Sequence, residues 1–116
     1  MNKQKTKVQE APVDQRIERE YSKDMKSCLI KFHVPKEIAS GANSIAVAGT
    51  FNDWNQHSHQ LEKQKNGDFR LDVVLEPDKY YEFRFIIDET RWENAHNADR
   101  YFWSDYSNCD NSVIET

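Results

Sequence analysis

Three tryptophans, a pair of histidines two positions apart and a scatter of carboxylates are the residues that could do chemistry in this chain of 116 residues. Trp54 stands just past Phe51-Asn52-Asp53, where Asn and Asp favour a turn because their short side chains bond nearby backbone groups. An indole placed there is either the last plug of a core or a flat apolar surface offered to a ligand. Phe51 already fills the inward phase of the run before it, which favours the surface. Trp92 poses the same choice, with Tyr101 and Trp103 competing for the exposed role. His57 and His59 would point the same way in an extended loop and could supply two metal ligands. No third or fourth ligand is evident, so they read as part of a solvated loop. Asp53, Asp88, Glu93, Asp99 and Asp105 fall in turns and loops, with no spacing that marks two carboxylates held across a cleft. The expectation is a non-enzyme. No Gly-rich phosphate loop or other cofactor pattern is present, and Cys28 and Cys109 form no Cys-x-x-Cys zinc pair.

The net charge of -4 argues against a nucleic-acid partner, which needs clustered Lys and Arg. Lys3, Lys5 and Lys7 make only a short basic end, with Glu10 behind it. No apolar run is long enough for a membrane span or a signal peptide, so the expected location is the cytoplasm, where two cysteines stay reduced. The charged fraction of 31% is unevenly spread. Residues 1–26 read as a charged N-terminal arm, partly disordered or a short helix, in which Val13, Ile17 and Tyr21 recur at helical spacing. Up to about residue 22 the arm is expected to be dispensable for folding. Residues 27–116 carry the aromatics and form the domain.

The elements that must position the tryptophans follow from alternation. Cys28, Ile30, Phe32 and Val34 make a strand that Pro35 ends. In the stretch 43–51, Ile45, Val47, Gly49 and Phe51 face one way and Ser44, Ala46, Ala48 and Thr50 the other. A short strand is expected over 61–65, then a hairpin at Asn66-Gly67. The run 69–75 is strongly amphipathic. Glu76-Pro77-Asp78-Lys79 is a turn leading to a strand over 80–87, with Tyr81, Phe83, Phe85 and Ile87 on one face. A short strand around 91–93, a long loop over 94–110 and a last strand over 112–115 complete the chain. Six or seven short strands with regular turns predict an all-β, immunoglobulin-like antiparallel β-sandwich. Its core would draw on Ile30, Phe32, Val47, Phe51, Phe69, Leu71, Val73, Phe83, Phe85 and Val113.

With the strands in place, Val-Ala-Gly-Thr-Phe-Asn-Asp-Trp (47–54) resembles the glycogen-binding domain of the AMP-activated protein kinase β-subunit. That domain belongs with the family-48 carbohydrate-binding modules, the early-set domains of isoamylases and glycogen branching enzymes. The similarity continues through Tyr-Glu-Phe-Arg-Phe-Ile-Ile-Asp (81–88), Arg-Trp-Glu-Asn (91–94) and Asp-Asn-Ser-Val-Ile-Glu (110–115). It runs from about Ser27 to the end, and small bacterial proteins made of this domain alone are similar too. The resemblance implies stacking tryptophans at Trp54 and Trp92, a basic residue at Arg84 where the kinase domain has Lys, and a polar contact from Asn111. Two departures stand out: Glu89 where the family has Gly, and Cys109 where the kinase domain has Thr.

The implied function is non-catalytic binding of α-1,4-glucan, as glycogen or maltooligosaccharide. The chemistry fits: one face of a glucose ring is C–H bonds, which suit the negative face of an indole, while Arg and Asn match hydroxyls around the rim. By itself, Arg84 on the outward face of a strand would pair with a neighbouring carboxylate such as Glu82. The alternative is an interaction or regulatory module that keeps the fold without significant sugar binding. It would hold a protein partner through the N-terminal arm or a sheet edge.

Overall fold

The computed structural model describes residues 16–116. Nine strands lie among them: β1 (Glu18–Tyr21), β2 (Cys28–Val34), β3 (Ile45–Gly49), β4 (Glu62–Lys63), β5 (Phe69–Leu75), β6 (Tyr80–Ile87), β7 (Arg91–Glu93), β8 (Arg100–Ser104) and β9 (Cys109–Glu115). One helical turn, α1 (Lys36–Ala39), follows Pro35. The first sheet has the order β1-β2-β5-β4 and the second β3-β6-β9-β8, every pairing antiparallel. The two sheets pack as the expected immunoglobulin-like sandwich.

Strand β6 organises the second sheet. Its residues Phe83 to Ile87 pair with β3 along one edge. The other edge is divided, Tyr80 to Phe83 pairing with β9 and Phe85 to Ile87 with β7. Every second side chain of β6 therefore faces the other sheet, and Phe83, Phe85 and Ile87 enter the core. Phe32 of β2 meets Phe83 and Phe85 edge-on, at centroid distances of 5.3 and 6.0 Å. Phe51 closes the cluster by stacking on Phe32 at 6.2 Å, as its inward phase predicts. Val113 is fully buried, but its register with Glu82 and Arg100 puts it on the opposite face from the main core.

Two strands depart from the expected layout. The helical stripe through Val13, Ile17 and Tyr21 gives way over its described part to β1, with Glu18 opposite Lys31 and Tyr21 opposite Cys28; Val13 lies outside the described residues. Ile17 is buried in the core. Arg19, two residues on and hence on the same face, grips Asp99 with two hydrogen bonds of 2.8 Å. The second departure is β8, which lies inside the stretch expected to be loop and pairs with β9 from Arg100 to Ser104.

Candidate functional site

The outer face of the second sheet is where the tryptophans gather. Ala46 and Ala48 of β3 and Ile86 of β6 are buried there, on the side away from the main core, and Trp54 and Trp92 pack over them half-buried. Register explains the grouping: Ala46 is opposite Ile86, which is opposite Trp92 on its other side. The small side chains at 46 and 48 leave room for the indoles to lie against the sheet.

Each tryptophan is presented by a left-handed turn. Asp53 and Trp54 both have positive φ, 54° and 59°, a conformation that costs a non-glycine residue energy and needs surrounding support. The Trp54 N–H donates to Gly49 O at 2.8 Å, and Asn52 braces the same turn by accepting from the Gly49 N–H at 3.0 Å. Gly49 is required for close approach: a Cβ there would lie 2.4 Å from Glu82 O and 2.8 Å from Phe83 Cβ. Trp92 follows the β6–β7 turn, where Asp88 and Glu89 have φ of 52° and 69°. That conformation suits the Gly which the resemblance leads one to expect at 89. The Asp88 carboxylate accepts from the N–H groups of Ser44 and Asn43, at 3.0 and 2.7 Å, and these bonds hold its pKa below the ordinary carboxylate value.

Between the indoles lies an open depression of about 630 Å³, lined by Thr50, Trp54, Gln56, Glu82, Arg84, Trp92, Ser104, Tyr106, Ser107 and Asn111. All four residues singled out in the sequence meet there. Arg84 lays its guanidinium over the Trp92 ring, 5.0 Å from the centroid, and its Nη1 donates to Cys109 Sγ at 3.2 Å. Asn111 is 5% exposed, and its Nδ2 donates to Glu82 Oε1 at 3.1 Å. Among the described residues two buried side-chain polar atoms have no hydrogen-bond partner, Arg84 Nε and Asn111 Oδ1. One is a donor and the other an acceptor.

The pairing of Arg84 with its neighbour Glu82 is not what forms, since Glu82 turns to Asn111 instead. Glu82 was legible as Arg84's neighbour on the outward face, but its bond to Asn111 depends on a register between residues far apart in the chain. Tyr106, 99% exposed at the rim, carried no signal because it sits in a polar turn. Tyr101 and Trp103 alternate with Phe102, which is opposite Asn111, so they face away from the depression. His57 and His59 do not form a metal pair: His59 turns its Nδ1 to Asn52 and Ser58. Among the described residues no group of three or more His, Cys, Asp or Glu is arranged to hold a metal.

A family model for the glycogen recognition site of AMP-activated protein kinase matches residues 34–116. The chain belongs to this family. The part that matches the glycogen-recognition family takes in every residue lining the depression, while β1 and most of β2 precede it. Comparison with curated proteins finds no match. Among the described residues no helix is long and apolar enough to cross a membrane.

Proposed function

We propose that the chain is a non-catalytic carbohydrate-binding module that holds an α-1,4-glucan in the depression, with glucose rings stacked on Trp54 and Trp92. What carries the reading is the pair of half-exposed indoles, Trp54 and Trp92, flanking an open depression that Arg84 and Asn111 also line. Guanidinium and amide groups offer donors and an acceptor, and a sugar hydroxyl both donates and accepts. An apolar wall of indole beside such groups matches the C–H face of a pyranose with its hydroxyls at the edge. Membership of a glycogen-recognition family supports the same ligand class. Among the described residues lining the depression, Glu82 is the one carboxylate, and it is engaged with Asn111. Hydrolysis by the usual route requires two.

The test is a fluorescence titration with maltoheptaose, alongside co-sedimentation with glycogen. Trp103 is 60% exposed away from the depression, so a Trp103→Phe background removes its constant signal. Quenching that saturates in the millimolar range or below supports the reading, and it should change little with salt because the ligand is uncharged. A cello-oligosaccharide of equal length should compete poorly. Absence of any glucan-dependent change at millimolar concentration would refute glucan binding.

A further inference from the structure

The turn that presents Trp54 is laced together by one amide whose orientation is forced, and the lacing runs to a histidine outside the depression. Asn52 Oδ1 accepts from the Gly49 N–H at 3.0 Å, and its Nδ2 donates to Val47 O at 3.2 Å. A backbone N–H can only donate and a carbonyl only accept, so the amide cannot be flipped. The atom it turns towards His59 Nδ1, at 3.0 Å, is therefore a donor, which favours Nδ1 as its acceptor over the more distant Ser58 Oγ at 3.3 Å and Asn55 O at 3.4 Å. Ser58 Oγ lies 2.8 Å from the same nitrogen and can rotate its hydroxyl either way, but Asn52 has no such freedom. The imidazole is further fixed by its edge-on contact with Phe51, 5.3 Å between centroids, and by the hydrogen bond from the Val47 N–H to His59 O at 2.9 Å.

We infer that Asn52 and His59 are positioning residues for Trp54, that His59 is neutral with its proton on Nε2, and that adding a second proton releases the turn and weakens glucan binding. The inference rests on the glucan reading of the depression, which neither Asn52 nor His59 lines. Protonation would set an N–H on Nδ1 against the Nδ2–H of Asn52, and that amide cannot turn away without giving up Gly49 and Val47. The left-handed Asp53-Trp54 pair would then lose the brace that holds the indole over Ala46 and Ala48. Asp53 in the turn and His57 in its own loop are the titratable groups nearest in the chain, Tyr81 on β6 meets the same Phe51 ring at 6.4 Å, and β3 contributes none. None of these is hydrogen-bonded to the imidazole.

Two measurements decide the matter. Long-range proton–nitrogen NMR at about pH 7.5 should show His59 Nδ1 bare and Nε2 protonated; a proton on Nδ1 overturns the inference. Maltoheptaose affinity is then measured at about pH 7.5 and pH 5, the range in which imidazoles generally take up a proton, with melting curves showing the protein folded at both. Wild-type affinity should fall about tenfold, the worth of roughly one buried hydrogen bond. His59→Asn, whose Oδ1 can accept where Nδ1 does and cannot be protonated, should bind with the same affinity at both values. A flat wild-type profile, or an equal fall in His59→Asn, overturns the inference. If maltoheptaose binds at neither pH, the glucan reading falls, and the positioning role is decided by the Trp54 indole N–H resonance. That resonance must move on acidification in the wild type and stay in place in His59→Asn.

Discussion

Arg19→Leu should be the most damaging single change outside the aromatic core. The side chains of Arg19 and Asp99 are 12% and 3% exposed, so removing the guanidinium leaves a carboxylate out of water. Asp99 would keep only the bond its Oδ2 accepts from the Glu115 N–H, at 2.7 Å. Arg19 also donates to Glu115 O and Ile17 O, so the loss uncouples β1 from β9 and frees the backbone carrying the buried Ile17. Breaking a buried ion pair from one side costs about 3–5 kcal/mol. At about 4 °C or more per kcal/mol for a domain near this size, the melting temperature should fall by at least about 12 °C in a circular dichroism melt. The double change Arg19→Leu with Asp99→Leu removes both charges and should recover part of that loss, because no unpaired ion remains. Glucan affinity measured well below the melting point should be unchanged, since neither residue lines the depression. A fall of only two or three degrees would mean that β1 is an ornament on the sandwich. Truncation up to residue 22 would then be harmless, as the charge density of the arm suggests on its face.

Phe51→Ala and Trp54→Ala, three residues apart, should fail in different assays. Phe51 packs against the main core and its loss should cost about 3 kcal/mol in a urea melt, whereas Trp54→Ala should cost mainly glucan affinity, about 2 kcal/mol or more in a maltoheptaose titration; comparable destabilisation by both would remove the platform role. Gly49→Ala should destabilise by roughly 1–3 kcal/mol because its Cβ meets the backbone oxygen of Glu82, and an unchanged urea midpoint would refute the close approach. Acid should unfold the protein partly through Asp68 and Asp88, whose pKa values are lowered by the His33 hydrogen bond with the Lys36 N–H and by the Ser44 and Asn43 N–H groups respectively. A depressed carboxylate stabilises fully above its unfolded pKa of about 4 and loses that contribution as pH falls through the lower folded value. Stability of Asp68→Asn and Asp88→Asn should therefore fall less steeply below pH ~4, and slopes equal to wild type would contradict these bonds.

Legibility in the sequence followed the contrast between faces. Strands β2, β5 and β6 are plain because their inward residues are large and apolar and most outward ones are not. β8 is hidden because Tyr101, Phe102 and Trp103 put aromatics on both faces, leaving no period to read. β1 is hidden for the opposite reason: one of its inward residues is Arg19, whose burial makes sense only beside Asp99, eighty residues later. The four-residue spacing of Val13, Ile17 and Tyr21 fits a helix as well as it fits alternate residues of a strand.

The candidate site divides along the same line. The resemblance names Trp54, Arg84 and Trp92 together; alternation alone puts Arg84 on an outward face, and turn chemistry alone sets Trp54 just past its strand. That Glu82 is taken by Asn111, leaving Arg84 Nε and Asn111 Oδ1 unbonded, follows from the β6–β9 register, and no local pattern encodes a register. The alanines at 46 and 48 make the point most sharply. As letters in a strand they read as small partners of Ile45 and Val47, with no local sign of what would cover them. In the folded chain they are the seat of both indoles, and a larger side chain at either would lift the rings away from the sheet. If a glucan is held there as proposed, an apolar wall and a polar floor can meet the same sugar ring only where the wall lies low, and the smallest side chains on that face would set that geometry.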